Sequence, residues 1–307
     1  MGTLNELFDP DRVAVVGATA REGAVGRAVT SNLLDDFAGD TVPVNPNRDA
    51  VLGTPCVDGV ADADADAAVI VVPPAAALDA VEACGEAGVR NVVVITAGFG
   101  ESGADGATRE RRLAALSDEY DLNLVGPNSL GIVSTPSGLN ATLGPENASP
   151  GGLSFMSQSG AFVTAVLDWA NDNGIGFKDV VSLGNKAVLD ETDFVDHWGS
   201  DAETEVIIGY LEGIEDGREF IDTARDRLDR EDSRFFGERF PSSELWRCYE
   251  NFRDDTVFFD IETTGLSPGR DDVTTVSFHR DGDTTTLVRG DDLTAGNLRE
   301  QLDGSLL

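Results

Sequence analysis

Short β-branched apolar runs alternate with segments of helical period along most of the chain. Val13–Gly17, Ala68–Val72, Asn91–Thr96 and Leu122–Gly126 are bounded by Gly or Pro and read as buried parallel strands. Gly26–Phe37, Ala75–Ala87 and Thr108–Tyr120 lie between them with helical spacing. This βαβ alternation predicts a doubly wound α/β sheet. A second alternation follows Pro150-Gly151-Gly152: strands Leu153–Met156, Asp179–Leu183 and Val206–Leu211, with helices Ala161–Asn173 and Glu191–Gly199 between them. A last helical stretch, Gly217–Arg225, closes it. Three strands are thin for an independent domain of this type, so a truncated second fold is expected. Further on, Val273–His279 and Thr284–Arg289 read as strands of a meander.

Composition changes this picture by showing a seam. Ala occurs 31 times in residues 1–225 and once, at Ala295, in residues 226–307; aromatic residues number 12 and 9 in the same two segments. We place a boundary near Arg225 to Ser233 and read three parts: residues 1–148, 149–225 and 226–307. Net charge is −34, from 56 acidic and 22 basic residues, and only Lys178 and Lys186 are lysines. An acidic, Lys-poor surface suits high salt, where screening reduces self-repulsion, and it argues against a broad nucleic-acid-binding face. Cys56, Cys84 and Cys248 have no metal-ligand spacing and suit a reducing compartment. The most apolar stretch, Ala67 to Ala77, is short and interrupted by Pro73 and Pro74. Neither secretion nor membrane insertion is expected, and the reading is a cytoplasmic protein.

Candidate chemistry begins after the first strand, with Gly17-Ala18-Thr19-Ala20-Arg21-Glu22-Gly23-Ala24-Val25-Gly26. Glycines let backbone amides approach a phosphate, and the following helix N-terminus adds positive field. A dinucleotide site wants an acidic residue ending the second strand. Here that strand ends Val44-Asn45-Pro46-Asn47-Arg48, with a cation that suits a phosphorylated ribose or a diphosphate. With Val72-Pro73-Pro74, Ile95-Thr96-Ala97-Gly98-Phe99 and Gly126-Pro127-Asn128-Ser129-Leu130-Gly131, the ordered set resembles the CoA-binding domain of ADP-forming acyl-CoA synthetases and succinyl-CoA synthetase α chains. The resemblance implies a Rossmann-like fold. It also implies that Gly17, Ala18, Thr19, Gly23, Gly26, Asn45, Pro46 and Arg48 hold the phosphate end of coenzyme A. Val72, Pro73, Pro74 and Thr96 would flank the nucleotide and pantetheine, and Asn128 would lie near the thiol.

Ser157-Gln158-Ser159-Gly160 sits between a strand and a helix, an arrangement that either caps the helix or binds a small dianion. Together with Val181-Ser182-Leu183-Gly184-Asn185-Lys186 and Tyr210-Leu211-Glu212-Gly213-Ile214, it resembles the flavodoxin-like half of the same synthetases. By that resemblance the Ser157–Gly160 turn takes phosphate and Glu212 orients a phosphorylated histidine. The family carries that histidine on a later loop, which nothing here matches. His197 and His279 are the only histidines, and His197 reads as a surface or capping residue. The implied partners are CoA, a small carboxylic acid or its acyl-CoA, and a separate nucleotide-grasp (ATP-binding) β-type subunit.

In the third part, Phe258-Phe259-Asp260-Ile261-Glu262-Thr263-Thr264-Gly265-Leu266 resembles the first metal motif of ribonuclease H-like 3′–5′ exonucleases. Asp260 and Glu262, two apart on a strand, form a candidate ligand pair for Mg²⁺ or Mn²⁺. The later acidic motifs of such nucleases are not matched before Leu307. The expected function is that of a CoA-binding fragment of an ADP-forming acid–CoA ligase, left incomplete by the unmatched histidine loop. The alternatives are a CoA-binding regulatory or scaffold module and an exonuclease-related protein.

Overall fold

A computed structural model of the chain describes residues 4–144, 147–214, 216–228, 258–263, 273–280, 283–294 and 296–297. The chain divides into two compact units, Met1–Arg227 and Leu228–Leu307. The first unit opens with a single helical turn, α1 (Asn5–Phe8), followed by β1 (Arg12–Val16), α2 (Val25–Asp36) and β2 (Asp40–Val44). A two-residue hairpin, β3 (Ala50–Val51) and β4 (Thr54–Pro55), leads to β5 (Ala67–Ile70), α3 (Pro74–Ala87), β6 (Asn91–Val94), α4 (Ala104–Tyr120) and β7 (Asn123–Val125). Strands β2-β1-β5-β6-β7 form one five-stranded sheet in which every pairing is parallel. Its central strands β1, β5 and β6 are buried on both faces, as continuous apolar runs require. The strands end at Val16, Ile70, Val94 and Val125, so Gly17, Val72, Thr96 and Gly126 fall on the loops just past their C-terminal ends.

A second sheet takes β8 (Gly131–Ser134), β9 (Leu139–Thr142), β10 (Pro150–Ser157), α5 (Gly160–Asn173), β11 (Phe177–Ser182), α6 (Glu191–Trp198), β12 (Val206–Tyr210) and α7 (Gly217–Leu228). Its order is β12-β10-β11-β8-β9. The pattern of hydrophobic residues predicts three of these strands; β8 and β9 are a correction. This hairpin pairs antiparallel with β11, through Asp179↔Ser134 and Val181↔Ile132. All eight of its residues are buried, including polar Ser134, Asn140 and Thr142, which break up the apolar run. Thr142 Oγ1 donates to Asn140 Oδ1 at 2.7 Å, so the pair carries its own hydrogen bonding into the core.

Packing joins the two sheets of this unit. One apolar cluster runs from Val13, Val15 and Val93 through Ile132 and Leu139 to Met156, Val181, Phe194 and Trp198. Phe8 stacks on the half-buried His197, with centroids 5.3 Å apart, and Trp198 Nε1 donates to Asp179 Oδ2 at 3.0 Å. No helix of the described residues is long and apolar enough to cross a membrane. In the second unit, β13 (Phe258–Thr263), β14 (Val273–Arg280) and β15 (Asp283–Val288) form an antiparallel meander in that order.

Candidate functional site

The loops past the strand ends of the first sheet carry the candidate CoA residues. Gly17 has φ +98°, and a Cβ there would lie 2.9 Å from Val72 Cγ1; at Gly26 it would lie 2.3 Å from the Gly17 carbonyl oxygen. The helix start is therefore pressed onto the turn. Ala24 occupies the N-cap of α2 and supplies no side-chain cap, which leaves the first N–H groups of the helix for a ligand. Gly23, at φ +70°, has open space around it.

Several side chains expected at the ligand hold the loops. Asn45 Nδ2 donates to Ala18 O at 2.7 Å, and its Oδ1 accepts from Asn47 N–H at 3.0 Å. Thr96 Oγ1 donates to Val72 O at 2.7 Å, fixing the corner that leads into Pro73 and Pro74. Thr19 Oγ1 accepts from Arg21 N–H at 3.3 Å. Pro46 and Arg48 are exposed beside this turn, and Arg48 forms no ion pair among the described residues. Asn128 is exposed and left-handed, with φ +56°.

The Ser157–Gly160 turn is likewise internally engaged. Ser157 Oγ donates to Ser159 O at 3.1 Å and accepts from Ser159 N–H at 3.0 Å. Ser159 Oγ caps α5 by accepting from Phe162 N–H at 3.3 Å, so both hydroxyls shape the helix start. A phosphate here would meet the backbone amides around Gly160 in preference to those hydroxyls. Gln158 Oε1 reaches across to β12, accepting from Glu212 N–H and, at 3.0 Å, from Gly213 N–H. Glu212 is exposed at the end of β12. His197 stands at the other end of α6 against Phe8, and no hydrogen bond or ion pair among the described residues joins it to Glu212.

Asn128 is tied across the two sheets to residues given no role from sequence: Asn185, Glu101 and Glu110. Asn128 Nδ2 donates to Asn185 Oδ1 at 3.1 Å, and Asn185 Nδ2 donates to Glu101 and Glu110, each at 2.6 Å. Burial alone would raise the Glu101 carboxyl, but hydrogen bonds from Asn185 and from the Gly98 and Phe99 amides outweigh it and hold it below its ordinary range. Gly98-Phe99 and Gly184-Asn185-Lys186 belong to motifs read from the sequence, but Glu101 and the meeting of these loops do not.

Asp260 and Glu262 both lie on β13, in register with Ser277 and Thr275 of β14. Their side chains lie outside what the structure describes. Among the described residues no group of three or more His, Cys, Asp or Glu could hold a metal ion.

Comparison with known proteins agrees with this layout. A CoA binding domain family matches residues 11–135, and the succinyl-CoA ligase like flavodoxin domain family matches residues 150–231. The RNase_H superfamily matches residues 257–303. The acetate–CoA ligase [ADP-forming] I of Archaeoglobus fulgidus is 46% identical over 224 residues, covering 72% of this chain and 33% of that protein. The succinate–CoA ligase [ADP-forming] subunit alpha 2 of the same organism is 30% identical over 223 residues, covering 68% of this chain and 74% of that subunit. A solved dinucleotide forming acetyl-coenzyme A synthetase 1 of Ca. Korarchaeum cryptofilum, in complex with phosphate and ADP, superposes with a TM-score of 0.71 at 40% identity, over 74% of this chain and 50% of that one. The chain thus spans a third of the length of the Archaeoglobus acetate–CoA ligase. By these matches the chain belongs to the ADP-forming acyl-CoA ligase family, through the portion shared with the α subunits of succinate–CoA ligases.

Proposed function

We propose that the first unit is the CoA-handling part of an ADP-forming acid–CoA ligase. The reaction it serves is acyl-CoA + ADP + phosphate to acid + ATP + CoA, with the nucleotide handled by a separate nucleotide-grasp subunit. One observation carries this reading. The Gly17 turn, with an uncapped helix start behind it, and the exposed Arg48 both lie just past the C-terminal ends of parallel strands, where open α/β sheets take their ligands. Gly17, Ala18, Thr19, Gly23, Gly26 and Arg48 would meet the phosphates through backbone amides and one guanidinium. Asn45 and Thr96 would act by holding the turns, and Asn128 would stand at the thiol end. Backbone amides around Ser157–Gly160 would take phosphate.

Glu212 is read as the carboxylate that orients an imidazole. No histidine of the described residues is paired with it, so the phosphoryl relay depends on a histidine from elsewhere. Given labelled acyl phosphate, the chain should not be phosphorylated at His197. Phosphohistidine mapped to His197 would contradict that arrangement.

Calorimetric titration tests the main reading. CoA should bind with a micromolar-scale constant, roughly −8 kcal/mol, and NAD far more weakly, since no acidic residue ends the second strand. Arg48→Glu should weaken CoA by about 1.5–3 kcal/mol, the scale of one charge-assisted phosphate contact. NAD binding as tight as CoA would overturn the assignment. Turnover on addition of a nucleotide-grasp subunit would establish the ligase, whereas tight CoA binding without turnover would favour a CoA-binding scaffold.

A further inference from the structure

The loop after β11 is fastened to the corner where the CoA thiol is expected. Asn185 N–H donates to Pro127 O at 2.9 Å and Ala187 N–H to Gly126 O at 3.0 Å. A Cβ at Gly184 would lie 2.2 Å from that same Pro127 oxygen, so the two backbones are in direct contact. Between these anchors Lys186 adopts φ +57°. That conformation is strained for a side-chain-bearing residue and persists only where the surroundings enforce it.

Its side chain is directed to a single place. The Lys186 side chain is 5% exposed and that of Glu191 1%, with the ammonium 2.8 Å from the carboxylate. It also donates to Gly213 O at 2.8 Å. From the opposite side, Gln158 Oε1 accepts from the N–H groups of Glu212 and Gly213. Gly213 is therefore gripped at both its N–H and its carbonyl. The neighbouring Glu212 is exposed and its carboxylate has no hydrogen bond or ion pair among the described residues, so what this grip fixes is the backbone from which the side chain springs.

We propose that Lys186 is the positioning residue for Glu212, holding its carboxylate at a set distance from the CoA corner through the Gly213 carbonyl. This rests on the reading of Glu212 as the imidazole-orienting carboxylate. Lys186 and Asn185 are adjacent in sequence, so one short turn fixes the thiol end and the phosphoryl-transfer end of the site relative to each other.

Hydrogen–deuterium exchange across residues 206–214 of the full chain tests the proposal. Lys186→Met alone strands a buried carboxylate and endangers the fold, so the informative variant is Lys186→Met with Glu191→Leu, which removes both charges together. This pair should melt cooperatively and keep its CoA affinity within about threefold of the parent. With the bond to the Gly213 carbonyl gone the segment should open more often, so exchange at the Glu212 and Gly213 amides, which donate to Gln158, should rise about tenfold or more while β10 and β11 keep their protection. Unchanged protection at Glu212 and Gly213 in the folded pair would overturn the proposal. So would acceleration spread evenly over the second sheet, which marks a packing role. If exchange responds as expected but Glu212→Gln leaves phosphoryl transfer intact in the reconstituted ligase, the clamp stands and the assignment of Glu212 falls.

Discussion

A methyl group added at Gly26 would lie 2.3 Å from the carbonyl oxygen of Gly17, backbone against backbone, with Val71 Cγ2 at 3.3 Å. No side chain can yield there, so α2 or the turn must move. Gly26→Ala should cost about 1–3 kcal/mol in urea unfolding, as overpacking does. It should weaken CoA by about tenfold or more, since tenfold is only 1.4 kcal/mol of lost fit. Gly88→Ala is the control. Gly88 closes α3 at φ +81° with open space around it, so that variant should lose about 1–2 kcal/mol of stability and no CoA affinity. Equal effects of the two variants on CoA would mean the Gly17 turn is not at the ligand. Residue identity reveals that a glycine is needed at such a place; it does not reveal what lies against it. Asn45 and Thr96 show the same limit, since their motifs were legible but their donors turn out to serve Ala18 and Val72.

The α6 helix carries its own polar signature. Asp190 and Asp193 form a capping box, with Asp190 Oδ1 accepting from Thr192 N–H at 2.7 Å and Asp193 Oδ2 accepting from Asp190 N–H at 2.9 Å. At the other end, burial and then the nearby Lys178 push the His197 imidazole below its ordinary 6.5, against the opposing pull of Asp201 and Asp196. The unfolded chain then takes up a proton at a higher pH than the folded one. His197 therefore contributes stability that is fully present above 6.5 and is lost as pH falls through the folded value. Asp179 and Asp193 are pushed up from 3.8 by burial and act in the opposite sense, losing stability as pH rises through their folded values. Urea midpoints of the parent should fall as pH drops below 6.5, and those of His197→Gln should fall less. Identical slopes would remove His197 from the pH response. At this scale the parallel strands were readable because both faces are apolar. The β8–β9 hairpin was not, because Ser134, Asn140 and Thr142 are buried with their partners close at hand.

Over the whole molecule, a charge of −34 on 307 residues sets an electrostatic load that no single ion pair relieves. Salt shortens the range of this repulsion from about 10 Å at 0.1 M to about 3 Å at 1 M. Melting temperature should rise steadily with KCl between those concentrations, and added sucrose should not reproduce the slope; a flat or falling curve would refute a repulsion-limited fold. Composition shifts near Arg225, and the compact first unit extends to Arg227. What the sequence determined by itself is local: periodicity, glycine-bearing turns and the order of motifs past strand ends, because each is set by neighbours along the chain. What only the tertiary structure decided is which of those turns meet. Asn185 reaches Asn128, Glu110 and Glu101 across 57, 75 and 84 residues, and Lys186 reaches Gly213 across 27. No local pattern encodes such contacts; they arise when two sheets pack on one core and bring their loop ends together.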